Sequence, residues 1–195
     1  MSLWYNTCEY SGPNDPPEYP IIFLDIDGVL NSQFYYGNID YMKLKEELEE
    51  LVHFDPHAIQ LLNRIIYETN AKVVYHTNWR YLFSKKELDN FLNSRGFDGE
   101  TVGVVPAVNN RENNIAAWLN RYCWNDTHED WWTEELPPNC PPFVAFDDMD
   151  WEFPNKLNGR FLWCDELYGI TPQHVEKAIK LLGKSLTQEE LVLKV

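Results

Sequence analysis

Positive charge is scarce in this sequence. Sixteen Lys and Arg stand against 31 Asp and Glu, a formal net charge of −15 over 195 residues. A broad nucleic-acid-binding face draws its affinity from Lys and Arg that neutralise phosphates, so an extended polyanion is a poor partner for this chain. A small phosphate ligand is still compatible, because it needs only a local cation or a metal. Cysteine is sparse and scattered. Cys8, Cys123, Cys140 and Cys164 contain no C-x-x-C pair, which argues against a zinc knuckle or a disulfide framework and predicts reduced thiols in a cytoplasmic setting. No stretch approaches the roughly 20 apolar residues of a membrane span. The opening MSLWYNTCEYSGPNDPPEYP has neither the basic region nor the apolar run of a signal peptide.

What is present is an ordinary globular composition, 44% hydrophobic and 15% aromatic, long enough for one domain with an ample core. Residues 1–20 read as an irregular arm, broken by Pro13, Pro16, Pro17 and Pro20. Short apolar runs follow at 21–25, 72–76, 102–105, 143–146 and 160–163. They do not alternate, as expected of parallel strands covered on both faces. Between them lie helical patterns with recognisable ends. Asp55 caps and Pro56 opens one; Ser84 and Glu87 form a capping box for the next, which closes on Gly96. Ile115, Trp118 and Leu119 mark the buried face of a third, and Thr171, Pro172 and Gly183 bound a fourth. The alternation predicts an α/β fold, a Rossmann-like open parallel sheet with helices on both faces and right-handed crossovers, over residues 21–183. Residues 184–195 form a tail. Two segments break the rhythm: 31–54, with an acidic amphipathic helix around 43–51, and 122–142, which is aromatic, acidic and Pro-rich. They allow only minimal cap-like insertions.

The chemistry gathers where strands end. Ligands of open parallel sheets bind at the carboxyl ends of the strands. IIFLDIDGVLN puts Asp25 and Asp27 at the end of the first run, the second ends in His76-Thr77-Asn78-Trp79-Arg80, and the fourth ends in Asp147-Asp148, with Asp150 beyond. Acids so close together resist ionising unless a cation balances them. An all-oxygen set favours magnesium, with Asp25, Asp27, Asp147 and Asp148 as the candidate ligands. A nucleophilic carboxylate beside a proton-transferring one is a known solution to phosphoryl transfer. His76 reads as packed rather than catalytic, and Arg80 as the partner of a core carboxylate.

FLDIDGVLN resembles the first motif of the haloacid dehalogenase (HAD) superfamily of phosphatases, VVYHTNWR its second, and FVAFDDMD its fourth. FDPHAIQLLNRIIYETNAKVVYHTNWR, with the later FVAFDDMD and YGIT, is similar to the small HAD domains of RNA-repair and polynucleotide phosphatase-like proteins. Their second motif usually ends in Ser-Ser-Trp-Arg, where this chain has Thr77-Asn78-Trp79-Arg80. The resemblance implies roles: Asp25 as nucleophile and metal ligand, and Asp27 as general acid/base that also gives its backbone carbonyl to the metal. Thr77 and Asn78 would hold the phosphoryl oxygens, and Asp147 and Asp148 the magnesium. For the third-motif cation the candidates are Arg111, before the ENNIAAWL helix, and Lys156, after the fourth strand. Dehalogenases lack an acid two residues after the nucleophile, so Asp27 favours phosphoester hydrolysis. The expected substrate is a nucleotide-like or other small phosphoester, with a nucleic-acid end phosphate next. Two further readings stay open: a protein of the same fold that sequesters such a ligand without turnover, and an acidic interaction module.

Overall fold

The structure, a computed structural model, describes residues 11–38, 54–123, 136–137 and 140–184. Five parallel strands form one sheet: β1 (Ile21–Leu24), β2 (Lys72–Tyr75), β3 (Thr101–Val104), β4 (Phe143–Asp147) and β5 (Phe161–Trp163), in the order β3-β2-β1-β4-β5. The helices are α1 (Gln33–Asn38), α2 (Pro56–Thr69), α3 (Lys85–Ser94), α4 (Arg111–Cys123) and α5 (Pro172–Leu182). The expected α/β sheet and its five apolar runs are those observed, to within a residue or so at each end. The acidic helix expected around 43–51, the tail from 185 on and most of 122–142 lie outside the described residues.

Both faces of the sheet are covered, which is why the strands carry no polar stripe. Ile22, Leu24, Val73, Tyr75, Val144 and Phe146 pack with α2, α3 and α5 through Leu62, Ile65, Leu88, Leu92, Val175 and Ile179. Ile21, Phe23, Val74, Phe143 and Ala145 face the other way, onto Ile115, Trp118 and Leu119 of α4. Local signals set the helix starts. The Asp55 side chain accepts from the His57 N–H at 2.8 Å, and the Ser84 N–H donates to the Glu87 carboxylate at 2.8 Å. The arm is not wholly irregular: Ser11 pairs antiparallel with Val104, through N–H to O bonds of 3.1 and 3.0 Å. Among the described residues no helix is long and apolar enough to cross a membrane.

The register positions the site. Leu24 of β1 lies beside Tyr75 of β2 and Phe146 of β4. The next residues on three adjacent strands are therefore Asp25, His76 and Asp147, side by side at the carboxyl edge. After β2 the chain crosses to β3 on one side of the sheet, and β4 returns on the other side of β1. The reversal of strand order falls at β1, where open α/β sheets form their crevice.

Candidate active site

Asp25 and Asp147 are both buried. Asp25 Oδ1 accepts from the Ile26 N–H at 2.8 Å, and the Thr77 hydroxyl also bonds its carboxylate. Asp147 Oδ1 accepts from the Met149 N–H at 2.7 Å. The remaining oxygen of each acid, Oδ2, receives the same donor, Nη1 of Arg111. One guanidinium thus bridges the ends of β1 and β4 from the first residue of α4. The start of that helix is itself clasped to the loop beyond β4. The Arg111 N–H donates to Glu152 at 3.1 Å, and the buried Glu112 carboxylate accepts from the N–H groups of Asn155 and Leu157 at 2.8 and 2.7 Å.

Asp148 completes an acidic group. One oxygen from each of Asp25, Asp147 and Asp148 lies within 4.8 Å of the others. Burial, ahead of every other influence, raises the affinity of these acids for protons. It pushes Asp147 up to about 8, with Asp25 adding to the rise and Arg111 opposing it. Asp25 is raised by burial against the pull of Arg111, and Asp148 by burial and by Asp25. Burial works against the charge of Arg111, but Asp25 and Asp147 outweigh it and hold the guanidinium protonated.

His76 sits among these groups as a buried neutral imidazole. Burial and then Arg111 push its affinity for a proton well down. Nε2 lies 3.0 Å from the Phe146 carbonyl, an arrangement that assigns the ring proton to Nε2. Nδ1 is then an acceptor without a hydrogen-bond partner, 3.4 Å from another acceptor, Asp147 Oδ2. Three carboxylates, one bridging cation and an orphaned lone pair amount to a surplus of acceptors. A divalent cation with oxygen ligands fits that surplus, and Asp25, Asp147 and Asp148 are the side chains that would hold it.

The other expected residues fall around this centre. Thr77 is fully buried at the cap of the 3-10 turn Asn78–Tyr81, and its hydroxyl oxygen accepts from the Trp79 N–H at 3.2 Å. Asn78 is exposed at the start of that turn. Asp27 diverges from Asp25: it is exposed, with Oδ1 accepting from Asn31 Nδ2 at 2.8 Å and Oδ2 from Trp79 Nε1 at 2.7 Å. Lys156 makes its ion pair with Asp150 and lies 5.1 Å from the centre of the Phe161 ring. It is Arg111 that the structure brings to the acids. Among the described residues Arg80 meets no carboxylate, contrary to expectation. Its Nη1 donates to the carbonyls of His76 and Thr77 at 2.7 and 2.8 Å, and its Nη2 to the Tyr81 hydroxyl at 2.9 Å. The guanidinium braces the turn that carries Thr77.

Sequence reasoning missed Asn31, Trp79 and Glu112. Asn31 left a faint signal, an amide four residues beyond Asp27 across a glycine turn. Trp79 and Glu112 act on groups 52 residues and more than 40 residues away, and nothing local announces such contacts.

An all-parallel sheet with paired acids at the ends of β1 and β4, and a hydroxyl at the end of β2, defines an α/β domain of the HAD type. The model of one family, described as the HAD domain in Swiss Army Knife RNA repair proteins, matches residues 21–175. The chain belongs to that family, an RNA-repair branch of a superfamily whose members are generally hydrolytic phosphatases. No curated protein and no solved structure matches the chain significantly.

Proposed function

We propose that the protein is a magnesium-dependent phosphoester hydrolase that works through an aspartyl-phosphate on Asp25. The observation that carries this reading is the arrangement of Asp25 with Arg111, Thr77, Asp147 and Asp148 at one sheet edge. Burial raises the proton affinity of the Asp25 carboxylate, and the Arg111 guanidinium and the Thr77 hydroxyl pull it back toward the anion that attacks. Its oxygen attacks phosphorus as the bond from phosphorus to the leaving oxygen breaks, and Asp27 supplies the proton that oxygen needs. Water then attacks phosphorus and gives its proton to Asp27, and the bond to Asp25 breaks to release phosphate. Thr77, Asn78 and Arg111 bind the phosphoryl oxygens; Lys156, held by Asp150, has no part in the step. A magnesium ion bound by Asp25, Asp147, Asp148 and the Asp27 backbone carbonyl would supply charge neutralisation for phosphate and acids together.

The substrate is a nucleotide-like phosphoester or a nucleic-acid end phosphate. The family supports it, and so do aromatic rings on α1, on the turn after β4, at the end of β5 and on the loop beyond it. Phe34, Trp151, Trp163 and Tyr168 are exposed, and Trp163 Nε1 donates to the Asp148 carbonyl at 2.9 Å. Such ring faces suit stacking of a terminal base. The net charge of −15 disfavours a long polyanion held along its length. The test is a screen of nucleotides, sugar phosphates and 3′- or 5′-phosphorylated oligonucleotides with magnesium. Turnover that falls at least about a thousandfold in Asp25→Asn supports the reading. Tight binding of a nucleotide by wild type without phosphate release would replace it with sequestration.

A further inference from the structure

We propose that Trp79 is a positioning residue for the proton-transferring carboxylate, its indole N–H fixing the orientation of Asp27; the inference rests on the hydrolase reading above.

An exposed aspartate ordinarily samples several rotamers, because water serves its oxygens equally well in each. Asp27 is exposed, yet both of its oxygens are tied to donors of fixed direction. On one side is Asn31, whose own Oδ1 accepts from the Gly28 N–H at 3.0 Å. That contact orients the amide, so its NH2 faces Asp27. On the other side is Trp79, which can only donate. Each carboxylate oxygen keeps a second lone pair, so the grip on Asp27 leaves it able to take and give the proton.

The indole is itself immobilised. Its ring centre lies 5.8 Å from Phe54, 5.7 Å from Phe83 and 6.3 Å from Phe91. The Trp79 backbone carbonyl accepts from the N–H groups of Leu82 and Phe83, both at 2.9 Å. The Trp79 backbone N–H donates to the Thr77 hydroxyl oxygen, and that hydroxyl also bonds Asp25. A single turn after β2 therefore registers the nucleophile and the proton donor against each other: Thr77 touches the first and Trp79 the second. A hydrogen bond to an exposed carboxylate adds little to folding, since water competes for both partners. Its consequence is geometric, and small displacements of a catalytic group cost rate.

Trp79→Phe removes the N–H and keeps a ring among Phe54, Phe83 and Phe91. For an alkyl phosphoester, whose leaving oxygen needs a proton, kcat should fall about tenfold, the loss of roughly one hydrogen bond's worth of orientation. For p-nitrophenyl phosphate kcat should change less than about threefold, and KM for either should stay close to wild type. In an Asp27→Asn background the same substitution should have no further effect on the alkyl ester. A readout independent of turnover is the indole N–H resonance of Trp79, which should move upfield and exchange faster in Asp27→Asn. Equal losses on both substrates, additivity in the Asp27→Asn background, or an unperturbed indole resonance would overturn the proposal. Faster alkyl-ester turnover in Trp79→Phe would overturn it too, because the indole would then be holding Asp27 away from the substrate. If wild type releases no phosphate from any ester, the hydrolase reading fails and takes this role with it. If wild type turns over and Asp27→Asn discriminates between leaving groups while Trp79→Phe does not, the Trp79 role alone fails.

Discussion

Asp25 and Asp27 are the same residue two positions apart, and the fold treats them in opposite ways. Asp25 ends β1 inside the protein, pressed against a guanidinium that it shares with Asp147. Asp27 lies beyond the strand, in solvent, and its partners are an amide and an indole with no formal charge. A buried anion next to a cation has its energy set by Coulomb interaction in a medium of low polarisability. A solvated anion held by neutral donors has its energy set by water, and only its direction by the protein. The first environment strips water from a nucleophile and leaves one neighbouring cation to favour its attacking anion. The second suits a group that must stay within reach of water while it takes and gives a proton.

The comparison is broken most severely by removing the shared cation. Arg111→Met leaves two buried carboxylates facing each other with no compensating charge. Loss of one partner of a buried ionic group costs about 3–5 kcal/mol, which for a domain of this size is a fall in Tm of roughly 10 °C. Urea or thermal melts with and without magnesium measure it. The loss should be larger in EDTA than in magnesium, since a bound cation relieves the same repulsion and stabilises the folded state by mass action. Equal losses in both conditions would mean that the acids hold no metal.

On the exposed side, Asp27→Asn should leave folding almost untouched, because the group is exposed and water can serve the partners it holds less tightly. Its effect is on chemistry: about a hundredfold or more on an alkyl phosphoester and less than about tenfold on p-nitrophenyl phosphate, measured as initial rates under saturating magnesium. Equal losses on both esters would remove Asp27 from proton transfer and erase the functional half of the contrast.

How far the sequence reveals this division follows from which interactions are local. The strands are legible because a strand covered on both faces must be apolar throughout, as Ile21–Leu24 and Phe143–Phe146 are. The helix starts are legible because Asp55 and Ser84 bond backbone groups two or three residues away. The acids are legible because charge at the end of an apolar run demands an explanation. The bridge made by Arg111 is another matter. It requires β1 and β4 to be neighbours and spans 86 residues to Asp25 and 36 to Asp147. In the sequence Arg111 is the first candidate for this cation and Lys156 the second, with no contact to decide between them. They separate only because Lys156 lies in a loop with left-handed backbone, beside Asp150, while Glu112 and Glu152 hold the start of α4 against the acids. The same holds for Arg80, whose guanidinium finds carbonyls rather than the expected carboxylate.

The smallest expected effect concerns the residue that joins the two environments. Gly28 follows Asp27 and has φ of +69°, where a Cβ is strained whatever surrounds it. Here the surroundings matter as well: a Cβ at Gly28 would lie 2.6 Å from Asp148 Oδ2 and 2.7 Å from its Cγ. Gly96 supplies the control, with φ of +83° and nothing within 4 Å of the corresponding position. Both substitutions to Ala carry the backbone cost, about 1 kcal/mol, so both should lower Tm by a few degrees, Gly28→Ala by more because its Cβ also presses on Asp148. Only Gly28→Ala displaces a carboxylate of the acidic group. Its apparent magnesium affinity, read from the rise of Tm with magnesium concentration, should weaken several-fold, while Gly96→Ala should titrate like wild type. If the two variants titrate alike, Asp148 does not hold the cation, and the bare Cα at Gly28 serves the turn alone.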